Sequence, residues 1–309
     1  MSRRIRFALE ALAFGGFKAL ALVIPRSVFL RIGRALGALV AALDRRHLAI
    51  AKDNLRQSFP EWSEGEVDRI AGGVWIHFGG VMFDLVRILA KGPKSVDPFV
   101  TIEGREHAEL AHRSPHGVVL ITGHLGNWET HGIVHSQHFG SIGVVARPLD
   151  NPVLDSAMTA LRESAGNEVI SKEHAMIRSM RRLKAAQGVA FVVDQNVQEK
   201  EGIFVNFFGR PACTTPFAAR LAIKTGAMVL PCRSVMTPDF RYRVIYDAPI
   251  DPRGFGTGDD AVLALTQAMM NATEAAIREN PDQWLWMHRR WHTKQTSPPP
   301  VLPRGAASE

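Results

Sequence analysis

The sequence predicts an α/β fold: a largely parallel sheet flanked by helices, with an N-terminal helical membrane-associating arm. Three observations carry this. From about residue 99, short apolar runs such as GVVLIT and VAFVVDQN alternate with helical patterns, the signature of strands joined by crossover helices. Before that point the spacing of large apolar residues is the three-to-four spacing of helices. The first segment, RRIRFALEALAFGGFKALALVIPRSVF, is the most apolar in the chain.

Length and composition set outer bounds. A chain of 309 residues suffices for one large domain or two modest ones with a sizeable core. With 46% apolar and 22% charged residues it is globular rather than disordered. No repeat of fixed period is visible. Lys plus Arg number 37 against 30 acids, and the pI is near 9.8, so nucleic acid, anionic lipid or an acidic protein would be attracted. No zinc finger, aromatic RNA-binding strand pair or basic heptad array is present, so the balance points to membrane and acidic partners and not to nucleic acid. Cys213 and Cys232 have no metal-ligand spacing and are too few for a disulfide framework, which fits a reducing compartment.

The elements follow in order. Residues 1–26 are expected to form the membrane-associating helix. Glu10 and Lys18 leave only seven uncharged residues between them, whereas a spanning helix wants about 20. Arg6, Glu10 and Lys18 share one sector of about 120°, which favours a helix lying in the interface. A short tilted span is the close alternative. A cleaved signal peptide ending near Ala19-Leu20-Ala21 and an ordinary buried helix are the others. Residues 27–95 form a helical arm, with RIGRALGALVAAL and VDRIAGGVWIHFGGVMFDLVRIL as its helices. The pattern SEGE from Ser63 to Glu66 reads as a capping box at a new helix start.

Residues 96–293 form the α/β domain. GVVLIT, SIGVVARP, EVIS, VAFVVDQN, AMVLPCRSVM and RYRVIYDAPI read as strands, the last alternating and nearer an edge. Helices are expected from about Asn127, from Asn151-Pro152 with its capping residue and early proline, over HAMIRSMRRLKAAQG and TPFAARLAIKTG with their closing glycines, and over DDAVLALTQAMMNATEAAIREN. Residues 294–309, rich in proline, are expected to be disordered.

In open α/β sheets functional groups collect beyond the carboxyl ends of strands. His124 follows GVVLIT, Arg147 ends SIGVVARP, and Asp194 ends VAFVVDQN. In GHLGNWE, residues 123–129, the glycines allow a tight turn beside a ligand. Asn127 can cap the next helix, placing Glu129 in its first turn, where the helix dipole favours a carboxylate. Glu129 would then hold one imidazole nitrogen of His124 and leave the other as a base. Spacing alone says nothing. With 12 histidines and about a tenth of residues acidic, a histidine followed by an acid five positions later arises about once by chance. The Gly-rich loop between a buried strand and a helix start is what singles this pair out, against the alternative of a satisfied structural histidine.

GHLGNWE resembles the His-x4-acid motif of the glycerolipid acyltransferase superfamily. Within it the chain resembles the late acyltransferases of lipid A biosynthesis, the lauroyl/myristoyl transferase family. The likeness runs from about residue 45 to 293 through AKDNLRQSFPEWSEGE, GHLGNWE, ARPLDNPVLD, VDQN, FFGRPACTTP and NPDQWLWMHRRW, in family order. It implies an acyl donor on acyl carrier protein and a glycolipid acceptor, a hydroxyl of a lipid A precursor. It implies membrane lipid as surroundings, at the cytoplasmic face of the inner membrane, and no cofactor. It makes His124 and Glu129 the catalytic pair, with Asn127, Arg147, Asp194, Gly209 and Arg210 as substrate-binding residues. The N-terminal segment departs from a clean spanning helix, which leaves single-pass topology open.

The chemistry agrees. A hydroxyl is a poor nucleophile at neutral pH and needs a positioned base, and attack on a thioester creates an oxyanion that needs donors. SMRRLKA offers Arg181, Arg182 and Lys184 as a basic patch for an acidic carrier, or else a solvated helix face. His131, His135 and His138 share a helix face, but with no third ligand pattern no metal is expected. FFGRPACTTP reads as a groove-lining loop or a packed turn. WLWMHRRW reads as a headgroup interface or as cation–π packing inside the fold. No GxSxG elbow argues for a hydrolase. Direct transfer without an acyl-enzyme is expected, since only Thr122 lies near His124 in sequence. The alternatives are a superfamily acyltransferase with another glycolipid or glycerophosphate acceptor, with acyl-CoA as donor, and a non-catalytic membrane lipid-binding protein.

Overall fold

The computed structural model describes residues 3–296, so most of the tail expected to be disordered lies outside the described residues. The chain opens with four helices: α1 (Arg3–Val23), α2 (Arg26–Leu43), α3 (Arg45–Ser58) and α4 (Glu64–Lys91). Pro25 separates the first two. Asp44 starts α3 by accepting from the His47 amide, and Ser63 and Glu66 form the expected reciprocal capping box on α4. The third helix was not singled out from sequence. Its apolar face is narrow, Ala51 and Leu55 being its buried apolar residues.

Helix α2 crosses α4 at backbone contact. A Cβ on Gly37 would lie 2.1 Å from the Trp75 carbonyl oxygen, and one on Gly79 would lie 2.3 Å from that of Gly33. Phe29, Leu30, Gly33, Gly37 and Ala41 form the buried side of α2. Its other side carries Val28, Ile32, Leu36, Leu39, Val40 and Leu43, all exposed. Helix α1 is turned the same way. Glu10 bonds inward to the Asn151 amide at 2.8 Å, and the Ala21 carbonyl accepts from Arg87. Ile5, Leu9, Leu12, Leu20 and Val23 face outward. Arg6 and Glu10 are 3.5 Å apart, on one sector as expected. A helix with its carboxylate toward the protein and its leucines outward suits an apolar medium on the outer side. Among the described residues α4 alone is long and apolar enough to cross a membrane by length and composition. It packs against α1, α2 and α3, with a buried side running from Val67 to Ile88.

The rest of the chain builds a seven-stranded sheet. In chain order come β1 (Val100–Glu103), α5 (Arg105–His112), β2 (Val118–Thr122), α6 (Trp128–Phe139), β3 (Ile142–Ala146), α7 (Pro152–Ser164), β4 (Glu168–Ser171), α8 (Ala175–Lys184) and β5 (Gly188–Val192). They continue as β6 (Ile203–Phe207), β7 (Arg210–Thr214), α9 (Phe217–Thr225), β8 (Met228–Met236), β9 (Tyr242–Tyr246) and α10 (Gly258–Glu279). The sheet order is β1-β9-β8-β2-β5-β3-β4, parallel except at the β8–β9 pair. Strand β1 occupies the edge beyond β9, which therefore stands one place further in than its alternating pattern suggested.

Helices cover both faces. Val119 and Ile121 of β2 enter one core with Leu55, Leu221, Met269 and Trp284, while Val118 and Leu120 enter the other with Ile88, Ile133 and Leu161. A strand buried on both faces must be apolar throughout, and all five residues of β2 are buried. Strands β6 and β7 make a separate hairpin, where the sequence suggested a loop or turn. Phe208 and Gly209, with φ of 53° and 72°, form the two-residue connection with positive φ that hairpin twist favours.

Candidate active site

Strand register brings the site together. Thr122 of β2 pairs with Val192 of β5, so His124 and Asp194, each two residues further on, leave the same sheet edge side by side. Gly123 is required there, since a Cβ would lie 2.9 Å from an Asp194 carboxylate oxygen. Gly126 turns the chain at φ +62° so closely over β8 that a Cβ would lie 1.9 Å from the Ser234 carbonyl oxygen.

The carboxylate of Asp194 is 2% exposed and accepts three hydrogen bonds. They come from the His124 amide at 2.6 Å, His124 Nδ1 at 2.7 Å and the Trp284 indole at 2.7 Å. Burial alone would raise its pKa, but the His124 charge and these donors outweigh it and hold the carboxyl at about 2. For His124 burial pushes down, yet the Asp194 charge and hydrogen bond, with a further pull from Glu129, leave the imidazole above its ordinary value. With Nδ1 bound to a carboxylate, Nε2 carries the lone pair. The imidazole is 18% exposed, and the side-chain amide of Gln195 lies 3.2 Å from Nε2. Trp128 packs edge-on against the ring.

Glu129 does not make the contact expected of it. Its carboxylate faces Arg162 of α7, with bonds of 3.0 and 2.5 Å, and acts on His124 only through space. Four residues along a loop and one helical turn bring the acid near, but the strand beside the loop reaches Nδ1 first.

The other expected residues are dispersed. Asn127 caps α6 as predicted, but it is enclosed. Its oxygen accepts from the Thr130 amide and its nitrogen donates to the Tyr242 hydroxyl, so it offers nothing to a substrate. Tyr242 in turn donates to Asp84, which Arg26 clamps from the start of α2. Arg147 stands at the same sheet edge as His124, 86% exposed and 4.0 Å from Asp150. Arg210 is structural in this arrangement. It stacks on Trp291 at 3.6 Å and donates to Gln57, while Gly209 forms the hairpin turn. In the proposed basic patch Arg182 is buried, bonding Gly188 O, Ser141 O and Glu168. Helix α8 runs from the edge bearing His124 towards the start of β5, so Arg181 and Lys184 lie at the opposite edge.

The C-terminal segment completes the site from inside the fold rather than at a headgroup interface. Trp284, Trp286 and Arg290 are fully buried. The Leu285 amide donates to the His124 carbonyl, Gly126 N to Gln283 O and Arg290 to Gln195 O. His288 accepts from Asn196 N, and Asn196 and Thr293 exchange bonds. Sequence reasoning missed Trp284 and Gln195. The position of Gln195, directly after Asp194 at a strand end, is the one signal that marked it.

Among the described residues neither cysteine thiol bonds to His124. Cys213 on β7 points to the Gln198 carbonyl, and Cys232 on β8 to that of Ile121. Burial raises both thiols, and a thiol held protonated is inert. His131 and His135 lie on the buried side of α6, His135 bridging His112 and Tyr246 at 3.0 Å each.

Residues 2–293 match the family model described as bacterial lipid A biosynthesis acyltransferase. The chain belongs to that family. It is 27% identical over 281 residues to the lipid A biosynthesis lauroyltransferase of Escherichia coli (strain K12), covering 89% of each chain. The myristoyltransferase of the same organism is 22% identical over 269 residues, covering 87% of this chain and 81% of that one. The phosphatidylinositol mannoside acyltransferase of Mycobacterium tuberculosis is 29% identical over 194 residues, covering 62% and 59%. Family membership makes the chain an acyltransferase of the lipid A biosynthesis type.

Proposed function

We propose that this chain moves a fatty acyl group from an acyl carrier protein thioester to a hydroxyl of a lipid A precursor, with His124 as general base. The observation that carries the reading is the His124–Asp194 pair. A buried, ionised carboxylate favours the proton on Nδ1 and leaves Nε2 as acceptor at the carboxyl edge of a parallel sheet, where ligands commonly bind. In the step, Nε2 takes the acceptor hydroxyl proton as oxygen bonds to the thioester carbon, and the carbonyl π pair moves to oxygen. That pair then reforms the carbonyl, the C–S bond breaks, and the thiolate takes the proton from the imidazolium. Asp194 stabilises that imidazolium. Glu129, paired with Arg162, adds negative potential and fixes the first turn of α6 against α7. Arg147 is the exposed cation at the rim for an anionic group of acceptor or carrier.

The outward leucines of α1 and α2 support docking on the cytoplasmic face of the inner membrane, where such an acceptor is presented. A second acceptor class, another membrane glycolipid, is favoured by the likeness to the phosphatidylinositol mannoside enzyme. Mass spectrometry of lipid A from cells with wild type, with the His124→Ala variant and without the gene tests the reading. The gene should add one acyl chain, and the variant should behave as the deletion. Lipid A of unchanged mass in all three refutes the lipid A acceptor.

A further inference from the structure

We propose that the side-chain amide of Gln195 is a catalytic group, which caps the free nitrogen of His124 at rest and donates to the thioester oxygen as that oxygen gains charge. The inference rests on the acyl-transfer reading above and adds the missing oxyanion donor. Because Asp194 holds Nδ1, the lone pair on Nε2 accepts, and the group presented to it at 3.2 Å is the Gln195 amide nitrogen. The acceptor hydroxyl must occupy that position to lose its proton. When it enters, the Gln195 amide is displaced only as far as the reacting centre, because its backbone is fixed. Arg290, itself fully buried, donates to the Gln195 carbonyl, Asp194 is held by three donors, and both polar ends of Asn196 are tied to Thr293. The amide is then a mobile tip on a rigid base.

Four backbone donors nearby are already committed. The His124 amide serves Asp194, Gly126 N serves Gln283, Asn127 N serves Ser234, and Asn196 N serves His288. Asn196 cannot substitute, since its side chain turns away to Thr293. The exposed Gln195 amide has an N–H to give at this point. A carboxamide donor aimed at a developing oxyanion acts in the transition state more than in the ground state.

The test is steady-state transfer from acyl carrier protein thioester to a lipid A precursor in mixed micelles. Wild type, His124→Ala, Gln195→Ala and Gln195→Glu are compared, with thermal melts as a check on folding. Gln195→Ala should lower kcat about a hundredfold with both KM values within about threefold, the effect of losing one oxyanion donor. Gln195→Glu keeps the shape but removes the donor and adds charge. It should be slower still and should shift the acid limb of the pH–kcat/KM profile upward, because a carboxylate beside Nε2 favours the protonated imidazole. A kcat for Gln195→Ala equal to or above wild type means that the amide only blocks the base, which overturns the proposal. A wild type no more active than His124→Ala overturns the acyl-transfer reading and this inference with it.

Discussion

Asp194→Asn removes one charge from the site and almost no volume. The carboxyl is held near 2 against an ordinary 3.8, a difference worth about 2.5 kcal/mol. Because the folded pKa is depressed, this stability is present above about pH 4 and is lost as pH falls towards 2. The variant should therefore be less stable at neutral pH by about 2 kcal/mol, and the difference should vanish in acid. Activity should fall further. A neutral amide can donate to Nδ1 and drive the proton onto Nε2, the wrong tautomer for a base, at a cost of about 10³ to 10⁴ in kcat. The residual rate should also survive to lower pH. Burial depresses the imidazole, and Asp194 is the main group opposing it. The assay is product formation by mass spectrometry from carrier-bound donor between pH 5 and 8, with urea denaturation on the same samples. Glu129→Gln is the comparison, and should lose activity mainly with stability, since it leaves Arg162 unpaired. If Asp194→Asn keeps more than about a tenth of the rate while Glu129→Gln abolishes it, the assignment of Asp194 as the orienting carboxylate is wrong.

Two further outcomes follow from packing and protonation. Gly37→Val places a branched side chain into the Trp75 carbonyl and should lower stability by about 3 kcal/mol or more by forcing α2 off α4, read as a lowered Tm with unchanged far-UV dichroism per folded molecule. Burial lowers His77 and His131 from 6.5 to about 4 each, so both fold neutral and must charge in the unfolded chain. Their contribution is present above pH 6.5 and is lost as pH falls towards 4. Each should remove about 2 kcal/mol between pH 7 and pH 5, seen as a falling urea midpoint that His131→Phe makes shallower.

The parallel sheet was legible because strands buried on both faces must be apolar runs. EVIS and GVVLIT fall within a residue of their structural limits. Strand β1 and helix α5 escaped, since a four-residue strand with no buried residue and one short helix carry no clear period. Placement of His124 and Asp194 at one sheet edge was also legible, from strand ends alone. Which acid touches the imidazole was not. Glu129 is close in sequence, but Nδ1 is reached by a residue 70 positions away, and only register between β2 and β5 brings it there. Arg210 reads from sequence as a substrate-binding residue and Arg182 as part of a basic patch, because composition does not record what a guanidinium stacks on or encloses. WLWMHRRW read equally as headgroup anchor or interior, and the burial of Trp284, Trp286, Arg290 and Trp291 came from tertiary packing that no local pattern encodes.

The order in which the site is assembled matters for a chain that is synthesised from its N-terminus. The base, its carboxylate and the amide beside it are in place by residue 195, yet their fastening waits for residues 283–293. Until Trp284 donates to Asp194 and Leu285 to the His124 carbonyl, a nascent chain holds the reagents without their alignment. The tryptophan segment thus fastens a carboxylate that precedes it by 90 positions in the chain. A chain ending before residue 283 would lack the Trp284 bond to Asp194 and the Leu285 bond to the His124 carbonyl.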